Sequence, residues 1–301
     1  MELRQLSALV ALADHGSFTA AADALRTVQS NVSTHVAHLE RELGATLFDR
    51  AVGRLTPEGE LVANRARRIA SEVDAIAGDV VAVTADVAGE VRLGLIATTG
   101  RWLAPLLLSA VAERHPRVRV IVVEASTTSI APQVSAGRLD LAVVNLPVTD
   151  PDLTTEPLFE EDLVVAAPPG HPLTKRKTVT LDQAARHPLL LPPPGTALRD
   201  ELDAAAAAAG TRLQAQAELD GPHLLASLVA RGVGAAILPA TASAEAHAVV
   251  LHGLPRRVVG VAVRRRGMPS APARAVRVVL ADVIAEHAPE QAELTVYRDA
   301  R

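Results

Sequence analysis

The sequence predicts an α/β protein with a helical N-terminal part, and three observations carry that reading. Short helical patterns fill residues 1 to 56, one long heptad-patterned run fills 57 to 88, and from Glu90 onward strand-like runs alternate with helical ones. A chain of 301 residues has length for two or three domains, and 49 % apolar residues mark it as ordered. It holds no cysteine, which excludes a disulfide scaffold and a thiolate metal site. No apolar run reaches the roughly 18 residues of a membrane span. The opening MELRQLSALVALADHG carries Glu2, Arg4 and Asp14 and lacks a small-residue cleavage site, so it reads as the first helix of a cytoplasmic protein.

Within residues 1 to 56, Leu6, Leu9, Val10 and Ala13 offer a first helix closed by Gly16. Thr19 is placed to cap a short helix, Ala20 to Leu25; after a break at Arg26-Thr27-Val28 a further helix spans Gln29 to Leu43. At 100° per residue, Val36, Leu39 and Leu43 fall within about 40° of Val32, giving one inward stripe. The opposite arc holds Ser30, Thr34, Ala37 and Arg41, flanked by Ser33 and His38. Helix, tight turn, helix on a small core is the helix-turn-helix arrangement. Short polar groups on the outward arc let a helix axis approach base edges, and Gln29, Asn31 and Ser33 stand at the end that usually reads them. Arg50 and Arg54 flank AVG as a hairpin wing whose arginines would meet phosphates. The net charge is −4, yet no carboxylate lies between Asp23 and Glu40 while Arg26, His35 and His38 do. An outward face of small polar residues is also ordinary for a solvated helix. His35 and His38 lack a nearby third ligand, so no metal is expected there.

The long helix opens at Pro57 with Thr56 as its cap. Val62, Ala66, Ile69, Val73, Ile76, Val80, Val83 and Val87 recur at alternating steps of 4 and 3, an unbroken heptad seam on a helix roughly 48 Å long. So narrow a stripe predicts pairing with the same helix of a second subunit, the alternative being packing on its own domain. Gly89 is placed to end it. Beyond, VRLGLIA, VRVIVVEAS, LDLAVVNLP, LVVAAPP, LLLPPP, AAILPA and VVGVAVRRR read as strands of a parallel sheet covered on both faces. Helices are expected near 101–115, 130–136, 198–209, 222–230 and 271–287, with Gly210, Gly232 and Gly234 at helix stops and the tail after Ala288 frayed.

QLSALVALADHGSFTAAADALRTVQSNVSTHVAHLERELGATLFDR, followed by LTPEGE, resembles the winged helix-turn-helix of LysR-type transcriptional regulators, and the likeness continues in weaker form over nearly the whole chain. The resemblance implies a winged helix-turn-helix DNA-binding domain at 1–56 and a linker and dimerisation helix at 57–88. It implies next a two-lobed α/β domain similar to periplasmic binding proteins, with lobe I at 90–163 and 267–288, lobe II at 164–266, and a tail at 289–301. It maps DNA contacts to Gln29 and Ser33 and places Arg50 and Arg54 at the wing; the outward face of the helix adds Ser30, Asn31, Thr34 and His38 as candidate DNA contacts, and the heptad seam gives Val62, Ile69, Val73, Ile76, Val80 and Val83 as dimerisation positions. Three positions depart from the pattern. Val28 replaces a capping Ser or Thr, so Thr27 is expected to cap instead; Asn31 replaces a small apolar residue, and Thr34 a basic one.

Ligands in open α/β sheets sit beyond the carboxyl ends of strands. Thr98 and Thr99, Ser126 and Thr127 with Thr128, and Asn145 stand at three such ends, and Gly195 and Thr196 with Pro193 and His223 could be added from the second lobe. Each hydroxyl could equally cap a helix; their convergence favours a pocket, and the family's effector pocket lies between the lobes. A small carboxylate or uncharged polar metabolite is expected, since Arg101 is the only formal positive charge nearby. The resemblance thus implies double-stranded DNA, a small-molecule effector, a homodimer or tetramer, and RNA polymerase as partners, with no cofactor and no membrane. The sequence offers no GxSxG, HExxH, GxxxxGK[ST] or GxGxxG in context, so a non-enzymatic regulator is preferred. The alternative is a cytosolic α/β enzyme or solute-binding protein carrying a helix-turn-helix-like N-terminus.

Overall fold

Three helices and a two-stranded hairpin form the N-terminal unit: α1 Leu3–His15, α2 Phe18–Ala24, α3 Gln29–Leu43, β1 Phe48–Asp49 and β2 Arg54–Leu55. The computed structural model describes residues 1–84, 87–243, 247–254, 256–290 and 294–297, with the side chains of 74, 75, 77–84 and 247 outside the description. Gly16 closes α1 in the left-handed conformation with its N–H on the Leu12 carbonyl. The cap of α2 is Ser17, whose Oγ accepts the Ala20 amide at 3.2 Å, and Thr19 already lies inside the helix. The expected cap at Thr19 is thus two residues late, because the chain turns at Gly16 and only Ser17 retains the extended backbone a cap needs. Arg26 takes a left-handed φ of 52° in the tight turn, with Thr27 N–H bonded back to the Ala22 carbonyl.

Val32, Val36 and Leu39 are buried as the stripe requires, but Leu43 is 43 % exposed because α3 ends there and the chain leaves at Gly44. Val32 and Val36 meet Ala8, Leu12, Ala21 and Phe48, while Leu39 meets Leu6, Leu9, Leu47 and Ala63. Burying these side chains is what holds three short helices together; truncating Leu39 to Ala would cost about 2–5 kcal/mol. Glu40 fixes the approach to the hairpin, its Oε1 accepting the Leu47 and Phe48 amides at 2.8 and 3.2 Å.

The linker helix α4, Pro57–Thr84, is about 42 Å long. Thr56 caps it as expected, its Oγ1 accepting the Gly59 amide at 3.0 Å while donating to the Thr46 carbonyl at 2.7 Å. Gly59 lets the helix lie against the segment that enters the hairpin: a Cβ there would stand 1.9 Å from the Leu47 carbonyl oxygen. The heptad seam divides. Val62 and Ala66 pack on α1 within the same chain, so Val62 is a core residue of the N-terminal unit and not a free seam position. Ile69, Val73 and Ile76 are 38, 42 and 63 % exposed, and Val80 and Val83 lie outside the described side chains. Gly89 does not end this helix; it sits in the strand that follows.

From there two sheets alternate with helices. The first uses β3 Ala88–Leu95, α5 Ala97–Arg114, β4 Arg117–Glu124, α6 Thr127–Ser135, β5 Leu141–Asn145 and β6 Leu153–Glu161. The second uses β7 Leu163–Ala167, β8 Thr178–Thr180, α7 Leu181–Ala185, β9 Pro188–Leu191, α8 Ala197–Ala208, β10 Gln214–Glu218, α9 Pro222–Ala230, β11 Ala235–Pro239 and β12 His247–His252. The chain then returns through β13 Arg257–Arg264, α10 Ala271–His287 and β14 Leu294–Val296 to the first. The strand orders are β14-β6-β13-β5-β3-β4 and β10-β9-β11-β7-β12-β8. Alternating side chains feed two faces: Leu141 and Val143 face α5 and α10, while Ala142 and Val144 face α6.

Three expectations change. Both sheets are mixed, since β13 runs antiparallel to β5 and β6, and β7 runs antiparallel to β11 and β12. The expected lobe II at 164–266 includes β13, which instead completes the first sheet, so the return crossing falls between β12 and β13. The tail is not wholly frayed, because β14 pairs with β6 across Leu294–Glu161 to Val296–Phe159. Gly232, with a left-handed φ of 83°, follows α9 as expected, whereas Gly234 lies past it and leads into β11.

Candidate functional site

The outward face of α3 stands beside the hairpin. Gln29, Ser30, Asn31, Thr34 and His38 are exposed, and Ser33 is half-buried. The hairpin turn is tied by Asp49, whose Oδ1 accepts the Ala51 and Val52 amides, and by Gly53 at φ 73° with its N–H on the Asp49 carbonyl. That turn presents Arg50 and Arg54, both exposed. Arg50 Nη2 donates to Ser33 Oγ at 3.1 Å and its guanidinium lies 4.9 Å from the Phe18 ring centroid, so wing and helix form one surface. Ser33 is thereby held by the wing. Thr27 does not cap α3; its Oγ1 accepts Asn31 Nδ2 at 2.9 Å, and Val28 occupies the cap with no side-chain bond. The amide donors of the first turn of α3 are therefore left without a side-chain cap, at the end of the helix where its dipole favours an anion.

Between the two sheets the candidate effector residues meet unequally. Thr98 and Thr99 lie in the first turn of α5 and are buried. Thr127 Oγ1 accepts the Asn145 amide at 3.0 Å, joining the start of α6 to the end of β5, whereas Ser126 is exposed and bonds Thr128 and Ser129. In the second lobe, Thr196 Oγ1 donates to the Pro193 carbonyl at 2.9 Å and Gly195 N–H to Asp200 Oδ1 at 3.2 Å, so both shape their own loop. His223, at the start of α9, crosses the gap, with Nε2 2.9 Å from the Ala97 carbonyl oxygen. A carbonyl only accepts, so Nε2 carries a proton and, in the neutral ring, Nδ1 is left as an acceptor; among the described residues Nδ1 is buried with no partner, as is Asn145 Oδ1. Arg101 is exposed on α5.

One cluster was invisible in the sequence. Where β6 passes into β7, buried Glu161 accepts Thr241 Oγ1 at 2.7 Å and lies 3.4 Å from Arg257 Nη1; beside it Asp162 pairs with Arg256 Nε at 2.8 Å. Burial pushes the Glu161 carboxyl up from its ordinary range, and the attraction of Arg257 offsets only part of that. These partners are separated by 80 or more residues in the chain, so no local pattern could have announced them. Among the described residues no helix is long and apolar enough to cross a membrane, and no group of three or more His, Asp or Glu could hold a metal.

Residues 3–60 match the model of the bacterial regulatory helix-turn-helix protein of the lysR family, and residues 84–285 match the LysR substrate binding domain. A probable hydrogen peroxide-inducible genes activator of Streptomyces viridosporus is 36 % identical over 243 residues, 80 % of this chain and 78 % of that protein. One from Mycobacterium leprae (strain TN) is 33 % identical over 298 residues, 94 % of each chain. The solved structure of a full-length OxyR from Pseudomonas aeruginosa, carrying a cysteine-to-aspartate substitution, superposes with a TM-score of 0.78 at 28 % identity, covering 95 % of each chain. Order of elements, two-lobed architecture and these matches agree: the chain belongs to the LysR family of DNA-binding transcriptional regulators, which are not enzymes.

Proposed function

We propose that this protein binds an interrupted palindromic operator as a homodimer or a dimer of dimers, with α3 in the major groove and the wing on the phosphates. The observation that carries the reading is the single surface made by α3 and the hairpin: Gln29, Ser30, Asn31, Thr34 and His38 open outward, flanked by Arg50 and Arg54. In this reading Gln29 and Asn31 read base edges, Ser33 acts through Arg50, and the remaining side chains grip the backbone. Exposed Ile69, Val73 and Ile76 supply the pairing seam of the linker helix.

The effector reading departs from what the names of the relatives suggest. Those relatives are described as hydrogen peroxide-inducible activators, but the 301 residues here contain no cysteine. A thiolate cannot form, so neither a disulfide nor a sulfenic acid can be the signal in this chain. The cleft offers instead the first turns of α5 and α6, which favour a carboxylate, and two unpartnered acceptors among the described residues, His223 Nδ1 and Asn145 Oδ1, which call for hydroxyl donors. A small hydroxy acid held reversibly between the lobes satisfies both. Its binding at Nδ1 would add to the His223–Ala97 contact across the gap and so favour lobe closure, and operator affinity would change reciprocally.

Footprinting on the DNA beside its own gene tests the first half, with two protected half-sites expected. Thermal-shift screening tests the second: small hydroxy acids should raise the midpoint with concentration, and hydrogen peroxide should leave it unchanged. A peroxide-dependent, reversible change in the footprint would overturn the effector reading.

A further inference from the structure

A cavity of about 950 Å³ lies away from the interlobe gap, where the N-terminal unit, the linker helix and lobe I meet. Its size is that of a small-molecule site. The apolar part of its wall comes from Val10 of α1, Ala70 of α4, Ile121 and Val123 of β4, and Pro272 of α10. Ile121 and Val123 are half-buried on the edge strand β4, so part of each side chain is open to the cavity.

The charges around the wall are unevenly matched. Asp14 pairs with Arg67 at 2.6 Å, Glu90 pairs with Arg92 and Arg119 at 3.1 and 3.0 Å, and Asp140 accepts the Arg92 amide at 2.7 Å. Arg138, on the turn between α6 and β5, lines the same cavity, and among the described residues its guanidinium has no hydrogen-bond or ion-pair partner. Arg67 is buried there with its Nε unpartnered. Among the described residues of this wall, each of these acids has a cation or an amide, and one cation has no acid. An apolar wall with one unmatched guanidinium fits a ligand that is flat and apolar at one end and anionic at the other.

We propose that this junction cavity is a second ligand site, separate from the interlobe cleft, and that it takes a small amphipathic anion of the aromatic or branched-chain carboxylate class. The apolar body lies on Ile121, Val123 and Pro272 and the acid meets Arg138. An occupant touches α1, α4 and lobe I together, so it fixes how the DNA-reading unit sits on the effector lobe. This goes beyond the operator and cleft reading and does not depend on it.

The test uses the full chain and the aromatic sulfonate probe 1-anilinonaphthalene-8-sulfonate, followed by fluorescence and by displacement with benzoate. Saturable binding of one probe per chain is expected, weakened about tenfold in Arg138→Gln, as the loss of one charge-assisted bond predicts. It should be abolished in Ala70→Trp, which fills the cavity from an exposed helix position. Arg231→Gln, an exposed cation just past α9 and outside the cavity wall, should leave it intact. Absence of saturable binding, full binding in Ala70→Trp, or loss of binding in Arg231→Gln would each overturn the proposal. Far-UV circular dichroism of the filled variant separates a blocked site from an unfolded chain. Should Ala70→Trp unfold, Arg138→Gln on the exposed rim decides: unchanged probe affinity in that variant overturns the site.

Discussion

Asn31 donates its side-chain amide to Thr27 at 2.9 Å, and a base edge in the major groove would compete for that donor. Asn31→Ala and Gln29→Ala should each weaken specific operator binding by roughly 1–3 kcal/mol per lost base contact, measured by shift assay at fixed salt. Equal binding of variant and parent would remove that residue from the reading set. Arg50 acts differently. Its loss should weaken binding to all sequences alike and flatten the salt dependence by about one phosphate contact. Gly59 has a structural role: Gly59→Ala drives a Cβ into the Leu47 carbonyl and should cost roughly 2–3 kcal/mol by denaturant titration. The exposed places of Gln29 on α3 and of Arg50 and Arg54 on the hairpin were legible in the sequence, because turn residues and period are local properties. The Ser33–Arg50 bond was not, since it depends on how the hairpin folds back on α3.

The linker helix is tied to lobe I by side-chain bonds from its middle turns. Arg68 donates from Nε to the Ser135 carbonyl at 3.0 Å, at the far end of the helix whose first turn carries Thr127 in the cleft, and pairs with Asp152 at 2.8 Å. Arg264 Nη2 reaches Ser71 Oγ at 3.1 Å from the same lobe. The Arg68 hydrogen bond and charge hold the Asp152 carboxyl below its ordinary range. A carboxyl so lowered contributes its stability above the ordinary carboxylate pKa and loses it as pH falls through the lowered value. Docking of α4 on lobe I should therefore loosen in acid below the ordinary carboxylate range, and Asp152→Asn should remove that pH dependence in hydrogen exchange of α4. For the exposed part of the seam, Ile76→Lys should shift the population toward monomer in sedimentation while leaving the N-terminal core intact. The heptad spacing was plain in the sequence; that its first two positions serve the chain's own core was not, because period alone does not say which neighbour covers a stripe.

At the scale of the whole molecule, two strand crossings joined by Glu161, Asp162, Arg256 and Arg257 set how the lobes can move. Glu161 keeps its proton to higher pH in the folded state than in the unfolded chain. Below the ordinary carboxylate pKa both states are protonated; as pH rises toward the raised value the unfolded state ionises first, and stability falls. Glu161→Gln preserves an acceptor for Thr241 and should flatten that slope in melting curves taken across the acid-to-neutral range. If the slope is unchanged, another group is responsible.

By itself the sequence determined the helix-turn-helix, the capped linker helix and the alternation of strands and helices, since each rests on local period, caps and turn residues. Cysteine content likewise settled that no thiol can sense anything in this chain. The tertiary structure alone decided that β13 and β14 return to the first sheet, that Thr98 and Thr99 are buried, that His223 bridges the lobes, and that a cavity opens under Arg138. Those outcomes depend on partners far apart in the chain, and side-chain period records which way a residue faces without recording what it will face.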